Sequence, residues 1–175
     1  ESEVKTLKVG QLTEDGLGMI FWVDPDNQEA GKAISLERWG GNPFEASIKL
    51  HNAFSMVNGI ENTALYTDAG NNDAAALCTN LGEGWYLPAS EELGHLFDIY
   101  NGIARDNGFT NATPNQISDA EKASRATFDK NLTDLGGAVI NAAAENGNGE
   151  SYWSSTENED GQKARYVRFG KYGMD

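Results

Sequence analysis

Apolar positions in the first fifth of the chain come in short blocks of strand character. Met19-Ile20-Phe21-Trp22-Val23 is a five-residue apolar run, and Lys32-Ala33-Ile34-Ser35-Leu36 returns with period two. Between them Asp24-Pro25-Asp26-Asn27-Gln28-Glu29-Ala30-Gly31 is dense in turn formers. Residues 17–37 therefore predict a β-hairpin with a loose tip. The tip does not fit a calcium-binding EF-hand loop, since counting from Asp24 no glycine stands at the sixth position and no glutamate at the twelfth. Residues 38–70 show no sustained period; Trp39 to Phe44 forms a turn, and 45–60 has room for a helical turn.

From Asn71 the pattern turns helical. Asn72 or Asp73 can cap a short helix over 73–81, and Gly82 can end it. Gly84-Trp85-Tyr86-Leu87-Pro88 then makes a rigid corner. Ser90 is the expected N-cap of the next helix, with Glu91 and Glu92 complementing its dipole. Leu93, Leu96, Phe97 and Tyr100 fall at i, i+3, i+4 and i+7, a core-facing stripe, and Asn101-Gly102 is the expected stop. Residues 105–117 are polar loop. Ser118-Asp119-Ala120-Glu121 is a capping box that starts a helix to about Asp134, with Phe128, Leu132 and Leu135 inward. Ala138–Ala144 could add a short helix, and 146–149 is a turn.

The end of the chain is β again. Tyr152–Ser155 and Lys163–Phe169 predict two strands around the loop 156–162. With Val167 and Phe169 on the buried face, Tyr166 and Arg168 point the other way. Trp22, Trp85 and Trp153 are expected in the core, with Trp85 and Trp153 locking the two aromatic segments together; Trp39, among glycines, could stack on a sugar.

Composition narrows the function classes. A hydrophobic content of 39% in 175 residues is enough for a core and fits one domain. Thirteen basic residues against 27 acidic ones, a net charge of −14, argue against nucleic acid and other polyanions as partners. No stretch reaches the length of a membrane span. Cys78 is the single cysteine, which excludes an intrachain disulfide, and it lies on an apolar helix face as an inert thiol.

Three segments in order, Gly18–Val23, Ala74–Leu93 with its Trp-Tyr-Leu-Pro corner, and Tyr152-Trp-Ser-Ser-Thr-Glu157 followed by Ala164–Phe169, resemble the bacterial family of unknown function that supplies the C-terminal domain of the Legionella collagen-like adhesin. The resemblance implies an α+β, C-type lectin-like fold of short twisted antiparallel strands with two to three helices. It covers most of residues 1–175 as a single domain; members continue past this last strand into a closing one, which is expected here to be either missing or supplied otherwise. It also implies export to the cell surface or periplasm, with or without a lipid anchor.

The chemistry-bearing residues give little support to catalysis. His95 lies between core positions of its helix, His51 has no accompanying motif, and no phosphate-binding or nucleophile-elbow signature occurs. Formylglycine-generating oxidases, a similar fold, need paired cysteines. The chain is thus expected to be a non-enzymatic recognition or adhesion domain that binds a glycan or a host or bacterial surface protein. Glu157, Asn158, Glu159, Asp160, Tyr166, Arg168 and Tyr172 are the expected contact residues. The acidic run 157–160 offers hard oxygen ligands for calcium, yet lacks the Glu-Pro-Asn and Trp-Asn-Asp patterns of sugar-binding lectins, so no metal or cofactor is assigned. A receptor-binding protein with diversified C-terminal strands is the alternative, and a formylglycine-oxidase-like enzyme a remoter one.

Overall fold

The computed structural model describes residues 6–40, 50–103, 118–140, 150–159 and 164–169. These contain strands β1 (Gly18–Val23), β2 (Gly31–Ser35), β3 (Ser151–Glu157) and β4 (Ala164–Arg168). The helices are α1 (Gly59–Leu65), α2 (Ala74–Leu81), α3 (Ser90–Asn101) and α4 (Asp119–Asp134). The strands form two antiparallel pairs, β1 with β2 and β3 with β4, so the architecture is α+β. None of the described helices is long and apolar enough to cross a membrane. Contacts divide the described chain into two units. One comprises 6–39, 99–103 and 118–140; the other comprises 40, 50–98, 150–159 and 164–169.

In the first unit the predicted hairpin is present, with Gly18 opposite Ser35 and a register shift between Ile20 and Trp22. Its tip is closed by its own acids. Asp24 accepts the Asp26 amide at 2.9 Å, and the Asp24 amide donates to Ala30 at 2.9 Å. The capping box of α4 is formed, Ser118 and Glu121 each accepting the other's backbone N–H. Phe128 and Leu132 are buried, and Leu135 is half-buried. Tyr100 meets Phe128 edge-on at 5.5 Å, and its hydroxyl donates to Asp129 at 2.8 Å. Arg125, unlooked for in a core, is buried over the Tyr100 ring and donates to Asn101 at 2.7 Å. Its charge is tolerated there because a ring face and an amide oxygen replace water. Residues 138–140 are not helical, and the rest of the expected helix over 138–144 lies outside the described residues.

In the second unit Ala53, Tyr66, Ala74, Ala75 and Leu87 form a small core on which Ala69 and Cys78 pack. α2 ends as expected, but Asp73 spends its carboxylate on the Gly70 amide (2.6 Å) rather than on the helix, and Gly82 is extended. The left-handed glycine of this connection is Gly84, at φ +84°. The expected N-cap of α3 is corrected as well. Ser90 is the first helical residue, fully buried, and its amide donates to Thr156. The helix start is satisfied instead by Glu92, whose carboxylate reaches back to the Ala89 amide at 3.0 Å and also takes the Gly59 amide at 2.8 Å. The predicted stripe Leu93, Leu96 and Phe97 is buried, as is Tyr100 further along the same helix.

Candidate functional site

The second unit brings the two aromatic segments together through hydrogen bonds. The Ser155 amide donates to Pro88 at 2.8 Å, the Ser90 amide to Thr156 Oγ1 at 3.0 Å, and the Tyr66 hydroxyl to the Ser155 carbonyl at 2.8 Å. Four successive polar residues of β3, Ser154 to Glu157, are buried, which departs from the alternation of a half-buried strand. The register of the β3–β4 pair breaks between Trp153 and Glu157, so each of these side chains finds partners off the ladder. Ser154 donates to the Arg165 carbonyl, Ser155 accepts from Asn62, and Thr156 donates to the Ser55 carbonyl at 2.8 Å.

Ahead of that break the pairing is regular, with Trp153 opposite Tyr166 and Ser151 opposite Arg168 on one face. The opposite face carries Val167, which is buried together with Phe169; Phe169 meets Tyr152 and Phe97 edge-on at 5.3 and 5.5 Å. The expected core position of Trp153 is overturned. The indole is 37% exposed and lies edge-on to Tyr166 at 5.8 Å. The strand's alternation puts Tyr152 inward, so its neighbour must face out. Arg168 stands 5.6 Å over the Tyr166 ring and donates to the Tyr166 hydroxyl at 3.0 Å, which fixes the guanidinium on the same face.

The expected contact residues separate. Tyr166 and Arg168 share the outward face with Trp153, while Glu159 is exposed and Asn158 half-buried just beyond β3. Asp160 and Tyr172 lie outside the described residues. Glu157 is the last residue of β3 rather than part of the loop. Its side chain is 5% exposed and accepts the amides of His51 and Ala53, each at 3.1 Å, and His51 Nδ1 at 3.1 Å. Among the described residues no group of three or more histidines, cysteines or acids could hold a metal ion.

His51, which carries no signal in the sequence, is the centre of a carboxylate–imidazole–carboxylate chain. Its Nε2 faces Asp68 Oδ1 at 2.9 Å, and its ring packs 4.7 Å from that of Tyr66. More than a hundred residues separate His51 from Glu157, so no local spacing could announce the pair. The Cys78 thiol is pushed up to about 12 by burial, which keeps it protonated and unreactive near neutrality. The chain matches no family model, no curated protein and no solved structure.

Proposed function

We propose that this chain is a non-enzymatic recognition or adhesion domain that binds a glycan or a surface protein through the outward face of β3 and β4. The exposed Trp153 carries the reading. A large indole left 37% exposed beside Tyr166 and a positioned Arg168 offers an apolar face with hydroxyl and guanidinium donors at its edge, the residue types that dominate contact energy in recognition surfaces. The loop between the two strands belongs to the same proposal, with Glu159 exposed at its start. The net charge of −14 supports an uncharged or cationic partner over nucleic acid.

The finer reading of the α+β fold is C-type lectin-like. In its support, the two segments that carry the resemblance, 84–93 and 152–157, are stitched together directly through Ser155–Pro88 and Ser90–Thr156. Export to the cell surface or periplasm belongs to the same reading.

The test is a glycan array together with a pull-down from bacterial and host cell surfaces, run with the wild type and with Trp153→Ala. Binding by the wild type that falls at least tenfold in the variant is the expected result. Blank screens for the wild type, or binding indifferent to Trp153→Ala, would count against the proposal.

A further inference from the structure

We infer that the outer edge of β2 is a docking site for an extended, cationic peptide segment of a partner protein, which adds a strand to the β1–β2 hairpin. The pairing of that hairpin fixes which backbone groups face inward. The Leu36 amide donates to the Leu17 carbonyl and the Asp24 amide to the Ala30 carbonyl, each at 2.9 Å, and Met19 stands opposite Ile34. Bonded and non-bonded pairs alternate along an antiparallel ladder, so the even-numbered residues of β2 turn their N–H and C=O toward β1, and Gly31, Ala33 and Ser35 turn theirs away. The two edges of the hairpin differ. On the β1 side the Gly18 and Ile20 carbonyls accept from Thr13 and Gly10, and the Ile20 amide donates to Gln11. On the β2 side no described residue pairs with the outward backbone groups of Gly31, Ala33 and Ser35. Such a row of donors and acceptors is a template for one more strand.

The side chains of this edge let a strand approach. Glycine, alanine and serine stand at the three outward positions, β2 holds no proline, and the extra residue of the register shift, Phe21, lies on β1. The charges choose the occupant. Over 24–38 Asp24, Asp26, Glu29 and Glu37 outnumber Lys32 and Arg38, and Asp26, Glu29 and Glu37 are exposed. Glu29 and Glu37 bracket the edge, four residues to either side of Ala33. On a chain of net charge −14 they favour an incoming strand with basic side chains at both ends. They disfavour a second copy of this chain. The antiparallel register that pairs all three outward residues, Gly31 with Ser35 and Ala33 with Ala33, sets Glu29 of each copy opposite Glu37 of the other, like charge against like. Main-chain bonds supply the affinity in this mode of recognition, and the flanking charges the selectivity. The site is independent of what the β3–β4 face binds.

The experiment is amide exchange by NMR on the full chain, alone and with two short probe peptides of alternating valine and threonine, one with lysine at both ends and the other with glutamate. In the free chain the Ala33 and Ser35 amides should exchange roughly a hundredfold faster than those of Ile34 and Leu36. The lysine probe should slow them several-fold, and the glutamate probe should bind roughly tenfold more weakly at low salt. Ala33→Pro removes one outward N–H and leaves the bonds to β1 in place, so it should abolish protection by the probe while the inward amides stay slow. Glu29→Gln combined with Glu37→Gln, both at exposed positions compatible with folding, should erase the preference between the probes. Slow exchange of Ala33 and Ser35 in the free chain, protection that appears on raising the protein concentration alone, a lysine probe that leaves these amides unchanged, or a preference that survives the double variant overturns the docking site.

Discussion

The backbone amide of Ser90, at the first position of α3, donates to the side-chain oxygen of Thr156 on β3 across 3.0 Å. The same threonine hydroxyl donates to the Ser55 carbonyl at 2.8 Å, so one buried group joins three segments distant in sequence. Thr156→Val keeps the shape and removes both bonds, leaving a helix-start N–H and a carbonyl without this partner. The expected loss is about 2 kcal/mol, or a fall in melting temperature of about 4–8 °C. Thr156→Ser keeps the hydroxyl and should cost about half as much or less. Thermal unfolding of the three proteins checks the order, and a Thr156→Val protein as stable as the wild type would show that this junction does not hold the unit together.

Glu157 offers a second measure of the same region. Its carboxylate receives three N–H groups, two from the backbone and one from His51. Glu157→Gln replaces one of the two acceptor oxygens by a donor that faces donors. We expect about 2–3 kcal/mol of destabilisation by urea unfolding at pH 6. Glu159→Gln, at an exposed position two residues on, should change stability by less than about 0.5 kcal/mol. Equal effects at 157 and 159 would mean that Glu157 is solvated after all.

Elements whose burial follows their period are legible in the amino-acid sequence. The hairpin of β1 and β2, the stripe of α3 and the capping box of α4 all stand where the pattern puts them. α1 is not legible because its pattern is inverted: it buries Gly59, Asn62 and Thr63 and exposes Ile60 and Leu65. Asn62 is inside because its amide bonds both the amide and the carbonyl of Ser55, which apolar periodicity does not weigh. The outward face of Tyr166 and Arg168 follows from strand alternation. Trp153 is misplaced when its hydrophobicity outranks the same alternation, which already puts Tyr152 inward. The burial of Glu157 and the role of His51 depend on contacts between distant segments, and no spacing in the chain encodes them.

Cys78 gives a prediction with a defined sign. Burial raises its thiol from an ordinary 9.0 to about 12, so the native state keeps a proton that the unfolded chain releases. Stability should therefore fall as pH rises from about 9 toward about 12, since the unfolded state binds fewer protons there. Urea midpoints measured from pH 8 to 10.5 should decline less steeply in Cys78→Ala than in the wild type. Tyr86, whose hydroxyl is also raised, first by burial and then by its bond to Glu92, contributes to both curves alike. Disulfide-exchange labelling at pH 8 should run roughly a thousandfold slower on the native protein than in denaturant. Equal labelling rates would place the thiol in water.

Gly59 tests how closely α1 is set against the start of α3. It is the first residue of α1, and its amide donates to Glu92 Oε2 at 2.8 Å. A Cβ added there would stand 2.5 Å from that oxygen, 2.6 Å from the Ala89 nitrogen and 2.8 Å from the Leu87 oxygen. Two of these three are backbone atoms at the Leu87–Ala89 corner and cannot swing aside. Gly59→Ala should thus push α1 away from the corner and disturb the Glu92 bonds, with an expected loss of about 3 kcal/mol despite alanine's better helix propensity. Gly40→Ala is the matched control, since nothing lies within 4 Å of its added carbon. It should be neutral or slightly stabilising through the unfolded chain. Parallel urea unfolding of the two variants reads the difference; a Gly59→Ala protein no weaker than Gly40→Ala would mean that the helix and the corner are not in close contact.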